Sequence, residues 1–258
     1  MNPMFQRLGL LVGQEALDAL SRTRVLVFGA GGVGSWAAEA LVRCGIGRIG
    51  VVDSDAVCIT NINRQTQAVI ENLGKPKVAA LKERLLSINP SCAVDAFEAV
   101  FRRENASLFG IESVGYVIDA IDSLSFKLDL IETAFQFRIP LFSSMGMAQK
   151  LDPTRLQVAD VWDTYGCPLA RLVRQGLRKR GFDGRFPAVF SPERLPQSAG
   201  TTAVPCGSAQ CFCSVKSEMD WCASKKIVNG SAVTVTASAG LILASLVVNA
   251  VVHHEKLG

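Results

Sequence analysis

Residues 24–55 read RVLVFGAGGVGSWAAEALVRCGIGRIGVVDSD. Residues 25–28 are a short apolar run suited to a buried strand, and Gly29-Ala30-Gly31-Gly32-Val33-Gly34 follows at once. A helix-forming run then leads to a second apolar strand at 49–52, which ends on Asp53. This is the order of a mononucleotide-binding βαβ unit. Gly29 permits a tight turn, Gly31 lets backbone approach a phosphate, and Gly34 allows close helix–strand packing. The helix start offers unpaired N–H groups and a positive dipole end to that phosphate. Asp53 is placed to bind ribose hydroxyls. The stretch predicts an adenine nucleotide without specifying which one.

Outward from this unit, strands and helices alternate. A polar loop over 56–72 precedes Gly74-Lys75-Pro76-Lys77, which opens a helix to 88 with Pro76 in its first turn. A strand at 93–97, a short helix near Glu104 and an apolar strand at 114–118 follow; the last delivers Asp119 and Asp122. A helix over 125–137 and a strand at 140–143 complete the series. The alternation predicts an α/β fold: a doubly wound, Rossmann-like, mostly parallel sheet with its ligand at the strands' carboxyl ends.

The flanks read differently. Residues 1–20 form an amphipathic helix, with Leu10, Leu11, Ala16, Leu17 and Leu20 at helical spacing. Residues 156–161 suit a strand and 168–180 a basic helix, whereas 183–230 is rich in Gly, Pro, Ser and Cys and shows little periodicity. A loop that long is usually functional. With no repeat and no clean linker, the expectation is a single domain over 1–258. Residues 1–150 form its nucleotide-binding core, and 151–258 a C-terminal, substrate-facing extension that also carries dimer contacts.

A chain of 258 residues with 49% hydrophobic and 19% charged residues is too apolar for a disordered protein and large enough for a full core. Its net charge of +4 means that polyanion binding must come from a local patch. Eight irregularly spaced cysteines and no secretory signal point to a reducing, cytoplasmic setting. Residues 231–252 carry no charge and are long enough to cross a bilayer. Their Ser, Thr, Ala and Gly content suits a packed core or dimer helix at least as well, so membrane association through this segment is the alternative.

A Gly loop with Asp53 alone would fit an NAD-dependent dehydrogenase. Asp55 is a second carboxylate that NAD does not need, and the only histidines, His253 and His254, lie in the tail. Lys77, Asn61 and Arg64 suit a triphosphate, and Asp122 suits Mg²⁺. The Walker A pattern is absent, which excludes a P-loop ATPase.

Five segments in order, GAGGVGS (29–35), DSD (53–55), TNINRQ (60–65), GKPK (74–77) and DAIDS (119–123), resemble the E1-like adenylating enzymes. These use ATP to adenylate a carboxylate on a homodimer or pseudo-dimer. The resemblance implies an ATP site of Gly29, Gly31, Gly32, Gly34, Asp53, Asp55, Asn61, Arg64, Gln65, Lys77 and Asp122. Within it, Arg64, Lys77 and Asp122 are implied to be catalytic, Asp122 helps hold Mg²⁺, and the arginine often comes from the other subunit. SWAAEALVRCGIG, DAVCITNINRQ, SINPSC, VIDAIDS, VFSPE and DWCAS further resemble the bacterial tRNA threonylcarbamoyladenosine dehydratases. That likeness implies ATP-dependent cyclisation of the threonylcarbamoyl group at adenosine 37 of tRNA, with a sulfur-relay or cysteine-desulfurase protein as a further candidate partner. The runner-up is an activator of a ubiquitin-like sulfur carrier.

Arg171, Arg174 and Arg178 share one face of the basic helix, with Lys179 and Arg180 beside them. The stripe is either a contact for tRNA phosphates or a solvated face; the resemblance favours contact. Cys206, Cys211, Cys213 and Cys222 lack the paired C-x₂-C spacing of zinc sites, which favours reduced thiols without metal. Cys222 is a candidate nucleophile that the dehydration does not require, and Cys44 and Cys58 read as packing residues.

Overall fold

The computed structural model describes residues 2–194 and 229–253. Its framework is a seven-stranded sheet of β1 (Arg24–Phe28), β2 (Arg48–Val52), β3 (Ala93–Phe97), β4 (Tyr116–Asp119), β5 (Leu141–Ser144), β6 (Gln157–Asp160) and β7 (Pro187–Phe190). The order is β3-β2-β1-β4-β5-β7-β6. Every neighbouring pair is parallel except β6 with β7. The doubly wound, mostly parallel sheet is therefore as the sequence predicts.

Alternation along the strands builds two cores. Val25 and Val27 face one side, with Ile49, Val51 and Ile118. Leu26 and Phe28 face the other, with Val117 and Leu141. The first face is covered by α2 (Gln14–Arg22), α3 (Gly34–Arg43), α4 (Lys77–Ile88) and α7 (Val233–Val252). The second is covered by α5 (Leu124–Gln136), α6 (Pro168–Lys179) and the 3-10 helix Arg103–Phe109. On that side Phe28 meets Phe101 and Phe109 edge-on, with ring centroids 5.1 and 5.6 Å apart.

Three expectations change. The N-terminal segment is two helices, α1 (Gln6–Val12) and α2, because Gly13 takes φ +86° between them. Ala16, Leu17 and Leu20 are buried, while Leu10 and Leu11 are exposed. The passage after 183 contains β7, which lies inside the sheet between β5 and β6. Its signal was the short run Phe186-Pro187-Ala188-Val189-Phe190, with proline tolerated as the first strand residue. Pro76 precedes α4 as its N-cap rather than standing in its first turn.

Residues 233–252 form the one described helix apolar and long enough to span a bilayer. Within the fold, α7 lies against α3, α2, β5 and β7. Val235, Ala239, Leu243 and Val247 are fully buried. At Gly240 a Cβ would stand 2.4 Å from the Val33 carbonyl oxygen and 2.9 Å from the Ala37 nitrogen, so the small residue sets the interhelical approach.

Candidate active site

The strand order reverses between the parallel neighbours β1 and β4, and in such sheets the ligand crevice lies at this switch point, outside the strands' carboxyl ends. Gly29 takes φ +95°, and a Cβ there would lie 2.7 Å from the Ala120 carbonyl oxygen. A Cβ on Gly34 would lie 1.8 Å from the Gly29 oxygen, so neither position admits a side chain. Gly31 has nothing within 4 Å of its Cβ direction. The backbone there is open to a ligand, beside the first turn of α3, as phosphate binding requires.

Asp53 ends β2 and braces this loop. Its Oδ2 accepts from the Ala30 N–H at 2.7 Å and its Oδ1 from the Asp55 N–H at 2.8 Å. Each oxygen keeps a further lone pair for a ribose hydroxyl. Lys77, 6% exposed at the start of α4, donates to Asp55 Oδ2 at 2.6 Å and lies 3.8 Å from Asp53. Burial pushes the Asp53 pKa up, and the Lys77 ammonium opposes that shift. One cation thus sits over two carboxylates at the crevice edge, which suits an entering phosphate that recruits the ammonium.

The polar loop after β2 is stitched to α3. Trp36 Nε1 donates to the Arg64 carbonyl at 3.0 Å, the Thr66 N–H donates to Ser35 Oγ at 3.3 Å, and Gln67 Nε2 donates to the Ala30 carbonyl at 2.8 Å. The Arg64 stem lies against the Gly loop of its own chain, with Cγ 3.1 Å from where a Gly32 Cβ would be. Its Nη1 donates to the Thr60 carbonyl at 2.8 Å. Asn61 is buried, and its Oδ1 accepts from the Cys58 N–H at 3.0 Å. Gln65 is buried and accepts from Gln67 Nε2 at 3.3 Å. Asn61 and Gln65 thereby shape the turn that carries Arg64.

Asp122 stands exposed in the loop between β4 and α5, two residues after the Ala120 carbonyl that lies against Gly29. Beneath it, Asp119 and Lys127 are both 0% exposed and 2.6 Å apart. Lys127 also donates to Ser143 Oγ at 3.2 Å and to the Ser144 carbonyl at 3.0 Å. Asp119 Oδ1 accepts from the Ile121 N–H at 3.1 Å and so holds the turn leading to Asp122. Sequence reasoning passed over Gln67 and Lys127. A lysine eight residues after Asp119, inside an amphipathic helix, carried no sign of burial.

Among the described residues, no group of three His, Cys, Asp or Glu side chains forms a metal site by itself. A divalent ion carried in on a polyphosphate needs only one or two carboxylates, which Asp122 can supply. The proposed tRNA stripe on α6 is divided. Arg171, Arg178 and Lys179 are exposed, and the Arg178 guanidinium lies 5.2 Å from the Trp162 ring centroid. Arg174 is half-buried and donates to Thr164 Oγ1. Arg180 pairs with Asp129 and Glu132 at 2.7 and 2.6 Å. The cysteines at 206, 211, 213 and 222 lie outside the described residues. Cys58 is buried, and burial raises the Cys44 thiol pKa, which fits packing roles.

A glycine turn opening α3, an acidic β2 end and a cation over it place the protein among Rossmann-like nucleotide-binding proteins without a P-loop. The chain belongs to the ThiF family, whose model matches residues 5–257. It is 46% identical to the tRNA threonylcarbamoyladenosine dehydratase of Bacillus subtilis over 189 residues, 73% of this chain and 74% of that one. It is 39% identical to the enzyme of the same name from Escherichia coli over 248 residues, 91% of this chain and 88% of that one. The crystal structure of the Escherichia coli tRNA N6-threonylcarbamoyladenosine dehydratase in complex with ATP superposes with a TM-score of 0.81 at 33% identity. That match covers 97% of this chain and 94% of the other.

Proposed function

We propose that this protein is an ATP- and Mg²⁺-dependent dehydratase that cyclises the threonylcarbamoyl group on adenosine 37 of tRNA. The observation that carries this reading is the near full-length likeness to the ATP-bound Escherichia coli dehydratase, on a chain whose own crevice leaves Gly31 open to a phosphate. The substrate carboxylate attacks the α-phosphorus of ATP and releases pyrophosphate. A nitrogen of the same threonylcarbamoyl group then attacks the activated acyl carbon, its proton leaves, and AMP departs. The net change is loss of one water from the base at the expense of ATP. No enzyme nucleophile is required, because the attack is intramolecular.

In this reading the N–H groups at Gly31 and Gly32 and the helix end take the phosphates. Asp53 binds the ribose, and Lys77 and Arg64 meet the charge that develops on the α-phosphate. Mg²⁺, held by Asp122 and the phosphates, would supply charge neutralisation at the leaving pyrophosphate. The Arg64 stem against its own Gly32 supports action on the same chain's nucleotide. A homodimer, a cytoplasmic setting where tRNA is found, a sulfur-relay partner, and a substrate-facing role for 151–258 belong to the same proposal. Activation of a ubiquitin-like carrier is the second reading, favoured by 32% identity to the molybdopterin-synthase adenylyltransferase of Escherichia coli over 159 residues.

The test is mass spectrometry of the position-37 nucleoside after incubation with protein, ATP and Mg²⁺. ATP-dependent loss of one water is expected. Asp122→Ala is expected to abolish it while leaving the thermal transition unchanged. An unchanged nucleoside, with ATP still bound, would refute the tRNA reading; near-normal turnover by the variant would remove Asp122 from the machinery.

A further inference from the structure

A cavity of about 650 Å³ lies away from the Gly loop, lined by Arg155, Gln157, Tyr165, Gly166, Pro192 and Arg194 among others. Pro192 and Arg194 follow the carboxyl end of β7, and Gln157 starts the antiparallel β6 opposite Phe190. The cavity is therefore on the same edge of the sheet as the nucleotide crevice. Three strand steps separate β1 from β7, or roughly 14 Å, a gap that two or three nucleotides can span.

Its walls are fixed. The Glu193 carboxylate accepts from the Leu151 and Asp152 N–H groups at 3.0 and 3.1 Å, and Lys150 Nζ donates to the Glu193 carbonyl at 2.6 Å. This clasp joins the chain before Arg155 to the chain around Arg194. At the base, Gly166 takes φ +70°, and a Cβ there would lie 2.7 Å from Pro192 Cα, so the turn sits directly on the opposite wall. Tyr165 is braced from below by the Phe190 ring, at 5.3 Å between centroids. Its hydroxyl and the Gln157 Oε1 are 3.2 Å apart. Tyr165 is nonetheless 54% exposed.

We infer that this cavity binds an unpaired nucleotide of an RNA loop, with the base stacked on Tyr165 and the flanking phosphates held by Arg155 and Arg194. The lining holds two guanidiniums and no carboxylate. An exposed aromatic side chain sharing a cavity with cations is the combination that grips single strands, through stacking and backbone charge together. Gln157 also lines the cavity, and its amide N–H groups can read a base edge while Oε1 accepts from Tyr165. An acidic peptide would use the arginines but leave the ring face without a partner. The inference rests on the tRNA reading above and names where the loop beside the modified base would sit.

The test titrates the full-length protein with a labelled anticodon stem-loop that carries threonylcarbamoyladenosine. Tyr165→Ala is expected to weaken binding by roughly 5- to 100-fold, and Tyr165→Phe to keep it, because stacking needs only the ring. The double variant R155A/R194A is expected to lower the log–log salt slope by about 1.4, two single-strand phosphate contacts at ~0.7 each. ATP affinity and the thermal transition serve as readouts of an intact fold and should not move. Wild-type binding by Tyr165→Ala would overturn the inference, as would losses in these variants confined to an acidic carrier peptide. Dehydration by the wild type decides the function separately: if it succeeds while the variants bind RNA normally, the cavity assignment alone falls.

Discussion

The Asp119–Lys127 pair shows what a single residue can hide. Both side chains are fully buried, and each is satisfied, Lys127 by three oxygens and Asp119 by Lys127, Ser143 and the Ile121 N–H. Such a pair adds little net stability, yet removing one member leaves a buried charge alone. Lys127→Met is expected to cost about 3–5 kcal/mol, read as a lowered midpoint in denaturant. K127M/D119N, which discharges both sites, should recover part of it; no recovery would mean that the charges are not coupled. The residues that sequence made legible were those whose chemistry is local: Gly29 and Gly34 in the turn, Asp53 at a strand end, and Lys77 at a helix start. Lys127 was not, because its partners come from two other strands, and only the assembled sheet brings them to its ammonium.

At the scale of elements, the alternating strands and helices through residue 143 were readable from period and punctuation. Most strands there are apolar runs bounded by turn residues, and the edge strand β3, with Asp95 at its centre, is the exception. β7 escaped because its four residues sit in a Gly- and Pro-rich setting and find their partners in β5 and β6. The helix α7 was ambiguous for a different reason: an uncharged helix fits a bilayer and a core equally well by composition. In the fold it packs along α3. Gly240→Val would drive a side chain into the Val33 carbonyl and the first turn of α3, where the Gly loop ends. Overpacking of this kind costs about 1–3 kcal/mol, or roughly 2–12 °C in Tm for a chain of this size. Because Val33 belongs to the glycine loop, ATP affinity should fall with it. A variant with wild-type Tm and ATP affinity would show that the α3–α7 contact is looser than this geometry.

For the whole molecule, the question is how a protein of net charge +4 meets a polyanion. The basic helix α6 supplied the sequence-level answer, but folding assigns its charges unequally. Arg180 is neutralised by Asp129 and Glu132, and Arg174 is turned towards Thr164, where burial lowers the pKa of its guanidinium. Arg171 and Lys179 stay exposed, with no ion pair among the described residues. Periodicity put the three arginines on one stripe, but the fold half-buries Arg174 and leaves Leu172 exposed; spacing could not reveal which charges α5 and the Thr164 loop would engage. The two arginines should therefore respond differently to reversal. Arg171→Glu is expected to weaken tRNA binding several-fold at low salt, with the difference shrinking as salt rises, and to leave Tm unchanged. Arg174→Glu loses the Thr164 hydrogen bond and places a carboxylate in a half-buried position, so it should lower stability first, by about 1–3 kcal/mol. Paired titrations of tRNA binding and thermal unfolding separate the two effects. If Arg171→Glu binds tRNA as the wild type does at every salt concentration, α6 is a solvated face, and the polyanion must be met by the carboxyl edge of the sheet alone.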